Sequence, residues 1–120
     1  MSPESGDPID AAEAASLFAA LSDPTRLTLV DRLCAGGPQS IAQLTAGGSI
    51  TRQAVTKHLR VLAEAGLAHD NQRGRERIWT LDLARLDEAR RHLDQIEQQW
   101  DRALGRLKMF VEQEERDVME

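Results

Sequence analysis

Polar and basic side chains between residues 51 and 60 share the spacing of one helix face. Val55, Leu59 and Leu62 recur at intervals of three and four residues and would form the inward stripe of an amphipathic helix. The polar positions that would then face outward are Arg52, Gln53, Thr56, Lys57 and Arg60. Thr51 would cap this helix and is counted with them as a predicted DNA-binding residue. Glutamine fits the N6 and N7 edge of adenine, arginine or lysine fits O6 and N7 of guanine, and threonine suits a thymine methyl or a phosphate. The pattern therefore predicts a helix that reads base edges in the major groove of DNA.

A second basic cluster lies at the tip of a predicted β-hairpin. Strand-forming residues on both sides of Gly74 span about 67–81, and glycine tolerates the positive φ that such a tip requires. Arg73 and Arg75 flank this glycine, where they would reach phosphates or a narrow minor groove. A hairpin with a basic tip directly behind a candidate recognition helix is typical of the wing of a winged helix.

The charge of the chain is unevenly distributed. The 120 residues carry a formal net charge of -5, which by itself does not suggest a polyanionic partner. Residues 49–81, however, carry a net charge of +3, and the rest of the chain carries -8. Because phosphates respond to the local field, the overall negative charge does not argue against DNA binding.

The elements before residue 51 are predicted to be mainly helical. Residues 1–8, with two prolines, a glycine and acidic side chains, are expected to be a disordered lead-in. Amphipathic spacing predicts a helix over 9–21. Asp23 as N-cap and Pro24 at the first helical position predict the start of a second helix, which would run through Leu27, Val30 and Leu33.

The next elements have the order of a helix-turn-helix. A short helix is predicted over 39–44, followed by a glycine-containing turn at 45–48 and the recognition helix over about 51–65. Gly66 would close that helix. Together with the hairpin, these elements predict a mainly α fold with a small β-hairpin, a winged helix-turn-helix domain over 9–82.

The last segment predicts one long helix over 83–115, followed by an acidic tail at 116–120. Apolar residues occupy two sevenfold series three residues apart, as in a coiled coil. The predicted dimer interface consists of Leu86, Leu93, Ile96, Trp100, Leu107 and Phe110. The alternative is that the stripe packs along its own domain, and the two uses are compatible at different ends of the helix.

Three stretches in register resemble the ArsR (arsenic-repressor-like) family of bacterial winged-helix regulators. They are Leu-Ser-Asp-Pro-Thr-Arg-Leu at 21–27, Thr-Arg-Gln-Ala-Val-Thr-Lys-His-Leu-Arg-Val-Leu at 51–62, and Glu-Ala-Gly-Leu at 64–67. The resemblance covers roughly 18–81, and the region of Trp100 is similar to a subgroup with a long last helix. It implies a homodimeric repressor that binds a palindromic operator, often at its own promoter, and is released by a signal.

The family's effector sites are not matched. Metal-sensing members carry paired cysteines in the helix before the recognition helix, whereas residues 38–44 contain none. Other members collect Asp, His and Glu from their last helices. Here His92 has Asp94 and Glu97 nearby but no second histidine on that helix. We therefore expect no soft-metal sensing and assign no metal site and no cofactor; a site for a hard or borderline ion is unsupported rather than excluded, and the effector is unidentified.

Four further residues are interpreted as structural, and a fifth, His69, is left without a role. His58 is expected to be a hydrogen-bonded histidine, Arg26 to fix a helix start by pairing, and Arg77 to pair with a neighbouring acid. Cys34 is interpreted as a small hydrophobe in an apolar helix, with a redox switch as the alternative. Because the sequence has one cysteine, it cannot form an intramolecular disulfide. His69 has no partner that the sequence identifies.

The sequence contains no nucleophile with a matched base and no phosphate-cradling glycine loop, so we do not expect an enzyme. No apolar run reaches the roughly 18 residues of a membrane span, and the N-terminus lacks the basic region of a secretion signal, so we expect a cytoplasmic protein. The prediction is a sequence-specific, homodimeric transcriptional repressor with double-stranded DNA as its partner. The alternative is a winged-helix protein-interaction module without DNA binding.

Overall fold

The computed structural model describes residues 9–119, so the lead-in predicted at 1–8 lies outside the described residues. By its contacts the chain divides after Ala89 into two compact units. The elements in chain order are α1 (Ala11–Leu21), α2 (Pro24–Gly36), β1 (Gln39–Ser40), α3 (Ile41–Thr45), α4 (Arg52–Glu64), β2 (Ala68–Arg73), β3 (Glu76–Leu81) and α5 (Leu83–Met119). The fold is mainly helical with one small antiparallel sheet, and no helix within 9–119 is long and apolar enough to cross a membrane.

Local capping fixes the starts of the first two helices. Asp10 accepts a hydrogen bond from the backbone N–H of Glu13, so α1 begins two residues later than the apolar spacing predicted. Asp23 accepts from the backbone N–H of Arg26, and Pro24 occupies the first helical position, which confirms the predicted start of α2.

The core of the first unit is built from apolar residues of α1 to α4, of β2 and β3, and of the start of α5. Its fully buried side chains are Leu17, Leu44, Val55, Leu59, Leu62 and Leu67. α2 runs through Leu27, Val30 and Leu33, as predicted; Leu27 is exposed, whereas Leu29 is buried beside Val30 and Leu33. Leu29 and Leu33 are four residues apart and share one face, but Leu27 is about 200° around the helix from Leu29.

A third strand joins the hairpin. β3 lies in the middle of the sheet, with β2 on one side and the two residues of β1 on the other. Gln39 pairs with Trp79 and Ser40 with Ile78, although a helix was predicted from residue 39. The helix starts later because Ser40 and Gln43 form a reciprocal capping box, which leaves the backbone at Ser40 extended and able to pair with β3.

The wing is a regular two-stranded hairpin. β2 and β3 pair from Ala68 with Leu81 to Arg73 with Glu76, which leaves the two-residue turn Gly74–Arg75. Gly74 has a φ of 62°, and no non-glycine residue among those described has a positive φ. Positive φ at the first turn position alone is the pattern of a type II′ turn, whose twist matches that of the strands.

The last helix continues further than the sequence predicted. α5 spans 37 residues and includes Arg116–Met119, which were assigned to a separate acidic tail. These residues contain no glycine or proline that would stop a helix, and Arg116 in the last turn is favourable for the helix dipole. At its start, Ala89 is buried and Leu86 packs against the core of the first unit.

Candidate nucleic-acid interface

The rotation of α4 is fixed by its cap and its apolar stripe. Thr51 accepts a hydrogen bond from the backbone N–H of Ala54 at 3.1 Å and so caps the N-terminus of the helix. Val55, Leu59 and Leu62 are fully buried, as their spacing predicted. The outward side of α4 lines one open groove, and its polar lining residues are Arg52, Gln53, Thr56, Lys57, Arg60 and Glu64.

The two threonines of this helix already use part of their hydrogen-bonding capacity. The Thr51 hydroxyl oxygen serves as the helix cap. The Thr56 hydroxyl donates to the backbone carbonyl of Arg52 at 2.8 Å. Because that proton is engaged, Thr56 is suited to an apolar contact with a thymine methyl rather than to donating to a phosphate.

The cations of the first unit fall into two groups. Four arginines are held by other groups of the protein: Arg26, Arg32, Arg77 and Arg85. The side chains of the other five form no hydrogen bond or ion pair with any residue of 9–119, and these are Arg52, Lys57, Arg60, Arg73 and Arg75. The five unpaired cations are all exposed and lie on α4 and at the wing tip. They are also the five cations that the sequence assigned to DNA.

The held arginines stabilise the scaffold around this surface. Arg32 donates to the carbonyl of Leu44 at 2.6 Å and so ties α2 to α3. Arg77 pairs with Asp70 on the neighbouring strand of the wing, which confirms the prediction that it pairs with an acid. Cross-strand pairs of this kind fix the register of a hairpin. The ion pair therefore stabilises the two strands that carry the wing tip.

His58 has a structural contact, as was predicted, whereas the side chain of Arg26 binds the end of α1 and His58 and does not itself fix the start of α2. A guanidinium nitrogen of Arg26 lies 3.3 Å from Nδ1 of His58, and another donates to the carbonyl of Ala20 at 2.6 Å. Asp23 lies 3.9 Å from the same ring nitrogen. The pKa of Asp23 is lowered from its ordinary value, chiefly because its carboxylate accepts the backbone N–H of Arg26.

His69 pairs with Asp82, a partner that the sequence did not indicate. Its Nε2 lies 2.9 Å from a carboxylate oxygen of Asp82, whose other oxygen accepts the backbone N–H of Arg85 in the first turn of α5. The hydrogen bond from His69 is the main cause of the lowered pKa of Asp82, ahead of the helix-capping bond. Asp82 before an apolar helix is a recognisable cap, but its pairing with His69 follows only from the register, in which His69 lies opposite Thr80.

Cys34 is exposed, so the interpretation of this residue as a small hydrophobe packed in the helix was wrong. It follows Leu33 by one position and so points about 100° away from the buried face of α2. Within residues 9–119 no three His, Cys, Asp or Glu side chains are grouped so that they could hold a metal ion.

The second unit, described over 90–119, has an exposed apolar stripe. Leu93, Trp100, Leu107 and Phe110 are 53%, 64%, 58% and 61% exposed, and Ile96 is 36% exposed. Their sevenfold spacing places them on one side of α5. Leu86 belongs to the same series but is partly buried against the first unit, so the stripe serves two environments along its length.

The chain is similar to known helix-turn-helix transcriptional regulators. A family model described as a helix-turn-helix domain matches residues 21–70. The chain is 37% identical over 99 residues to the HTH-type transcriptional regulator Rv2034 of Mycobacterium tuberculosis, covering 82% of this chain and 89% of that protein. It is 27% identical over 74 residues to the transcriptional repressor SdpR of Bacillus subtilis, covering 62% of this chain and 81% of that protein. The chain is thus a helix-turn-helix transcriptional regulator and not an enzyme.

Among solved structures, the chain is similar to regulators of the ArsR-like family. An ArsR-like transcriptional regulator from Rhodococcus sp. RHA1 is similar with a TM-score of 0.73 and 38% sequence identity, covering 82% of this chain and 92% of that chain. The chain belongs to the ArsR-like family of winged helix-turn-helix regulators, as the resemblance in its sequence indicated.

Proposed function

We propose that this chain is a homodimeric, sequence-specific DNA-binding repressor. The observation that carries the proposal is the set of five unpaired cations on α4 and at the wing tip. These side chains are free to contact a polyanion, whereas the other cations of the same unit are held by protein groups. An α-helix fits the major groove, and phosphate contacts of this kind supply much of the affinity for DNA.

The assignment of roles follows from position on the helix. Arg52, Gln53 and Lys57 lie in the N-terminal half of α4, which enters the major groove in helix-turn-helix proteins, so they would contact base edges. Arg60, Arg73 and Arg75 would contact phosphates, the last two from the wing tip. Thr51 would hold the start of the helix, and Thr56 would pack on a base.

The second copy of the chain would pack on the exposed stripe of α5. The interface would consist of Leu93, Ile96, Trp100, Leu107 and Phe110. We leave out Leu86, which packs within its own unit. Exposed apolar surface of this extent is uncommon on monomeric proteins, and two helices with such a stripe bury it by packing together. A two-fold dimer would bind a palindromic operator.

Repression is the favoured outcome because SdpR, among the relatives, is named a repressor. A DNA-binding regulator acts where the chromosome lies, so we place the chain in the cytoplasm. Because a repressor lowers transcription, deleting the gene should raise transcription from the promoter that the chain occupies. A fall in transcription would identify an activator instead.

The direct test is binding to DNA from upstream of the chain's own gene, measured by mobility shift and footprinting. The triple variant Arg52→Ala/Lys57→Ala/Arg60→Ala should lose at least about 100-fold in affinity, because three charge-assisted contacts are removed. The matched control Arg102→Ala/Lys108→Ala/Arg116→Ala removes the same charge from α5, away from the stripe, and should bind within about twofold of wild type. Equal losses in both triples, or no binding by the wild type at low salt, would favour the protein-interaction module.

A further inference from the structure

Arg26 joins three helices through one side chain. Its Nε donates to the carbonyl of Ala20 at 2.6 Å, and one terminal nitrogen lies 3.5 Å from the carbonyl of Ala19. Both carbonyls belong to the last turn of α1, where backbone acceptors lack helical partners and a cation is favourable. The other terminal nitrogen lies 3.3 Å from Nδ1 of His58 on α4. Arg26 itself is in the first turn of α2.

The direction of the contact with His58 is settled by the chemistry of arginine. A guanidinium has only donors, so Nδ1 of His58 must accept and the proton of the neutral ring must be on Nε2. The carboxylate of Asp23, 3.9 Å from the same nitrogen, balances the charge of Arg26. Asp23 is held there because it caps α2 through the backbone N–H of Arg26.

This contact is directional, whereas the others that hold α4 are apolar. Burial of Val55, Leu59 and Leu62 sets which face of the helix points inward, but apolar packing restrains small rotations less sharply than a hydrogen bond, because the hydrophobic effect is non-directional. Across the described part of the chain, the bond between Arg26 and His58 is the only side-chain hydrogen bond that joins α4 to another helix or strand. A hydrogen bond tolerates only small departures in distance and angle.

We propose that Arg26 is a positioning residue for DNA recognition, which sets the rotation of α4 through His58. A side-chain atom about 6 Å from the helix axis moves by about 2 Å when the helix turns by about 20°. That displacement is enough to break a bidentate contact between Gln53 or Arg52 and a base edge, but phosphate contacts by long side chains survive it. The inference rests on the proposed function.

The test compares selectivity for DNA between two His58 variants. The duplexes are the site that the wild type protects upstream of its own gene and a scrambled duplex of equal length and composition. His58→Leu removes the acceptor and should bind the specific duplex at least about tenfold more weakly while binding the scrambled one within about twofold of wild type. His58→Asn returns an acceptor oxygen near the position of Nδ1 and should recover most of the selectivity.

A double variant shows whether His58 acts through Arg26. Arg26→Ala/His58→Leu should lose no more selectivity than the worse of the single variants, because both remove the same contact. Arg26→Lys keeps the charge but cannot hold two carbonyls and the ring together, and it should lose selectivity while the chain stays folded. Arg32→Ala is the matched control: it removes an arginine–carbonyl bond between α2 and α3 and should lower thermal stability with an unchanged ratio of specific to scrambled binding.

Additive losses in the double variant, or equal losses on both duplexes for His58→Leu, would show that His58 contacts DNA directly and would overturn the inference. Full selectivity in His58→Leu would overturn it as well, with the proposed function intact. A wild type that binds neither duplex selectively would reject the proposed function, and this inference would fall with it.

Discussion

The two units of the chain are incomplete in opposite ways. In the first unit the apolar side chains are buried, but five exposed cations have no partner among the described residues. In the second unit the large apolar side chains are exposed, whereas charged residues pair along the helix, as Arg90 does with Asp94 and Lys108 with Glu112. Exposed, unpaired cations can bind a polyanion, and an exposed apolar stripe can be buried against another apolar surface.

The change from one pattern to the other occurs within a single helix. Leu86 and Ala89 pack within the first unit, whereas Leu93 and the stripe that follows it in the second unit are exposed. A continuous sevenfold repeat thus supports two kinds of packing. The repeat therefore specifies which face of the helix is to be buried but not which surface covers it.

The largest expected effect is on assembly. Leu93→Asp/Trp100→Asp places two carboxylates in the proposed stripe and should raise the dissociation constant of the dimer about 1000-fold, because two apolar anchors are lost and two charges would be buried. Sedimentation velocity over a concentration series measures this constant. Met109→Asp is the control, since Met109 is 70% exposed but lies off the stripe. Normal dimerisation by the double variant would show that the stripe is not the interface.

A smaller effect separates the two groups of DNA contacts in the first unit. Gln53→Ala should relax base preference at one position in each half-site, at a cost of about 1–3 kcal/mol for the preferred base pair. Arg73→Ala should instead weaken binding to all sequences alike and reduce the salt dependence. Binding to a panel of operator variants measures both. If the two variants behaved identically across the panel, the division between base and phosphate contacts would be wrong.

Local signals in the sequence predicted α4 but not β1. The bounds of α4 were predicted to within one residue at each end because Thr51, Gly66 and the stripe at Val55, Leu59 and Leu62 are local signals. The strand at Gln39–Ser40 was missed because two residues carry no periodicity and pair with a partner about 40 residues away.

Side-chain partners across the fold were the hardest to predict. His69 and Asp82 meet because of the hairpin register, and the arginine–histidine contact between α2 and α4 depends on how helices pack. Residue types and spacing contain neither kind of information. They did single out the five cations that the structure leaves unpaired, because those positions alternate with buried ones on α4 or lie at a glycine turn.

Two glycines test the difference between the units in backbone terms. Gly66 has a φ of 79° and a Cβ there would lie 3.3 Å from Nε of Arg85, so Gly66→Ala should cost about 1–2 kcal/mol. Gly105 lies within α5 with open space around it and off the stripe, so Gly105→Ala should stabilise the chain by about 1 kcal/mol. Urea unfolding of both variants measures the free energies. The same sign for both would contradict the conformations assigned to these residues.

The smallest effect concerns the junction between the wing and α5. The pKa of Asp82 is lowered in the folded chain, so its charge stabilises the fold above its ordinary pKa of 3.8, and this contribution is lost as the pH falls through the folded value. Asp82→Asn keeps a good cap and should cost about 0.5 kcal/mol near pH 6, since the pair with His69 is largely exposed. The difference between variant and wild type should shrink below pH 3.8, as urea midpoints would show. A difference that stayed constant to pH 3 would contradict it.

The measurement that tests the central claim most directly is the salt dependence of binding to the upstream DNA. If each copy in a dimer contributes its unpaired cations, six to ten phosphate contacts should reduce affinity by about 10³–10⁵ between 50 and 200 mM salt. The account predicts a linear fall of log affinity with log salt in this range. Affinity that stayed level across the series, or no binding at 50 mM salt, would show that the unpaired cations on α4 and the wing do not serve DNA.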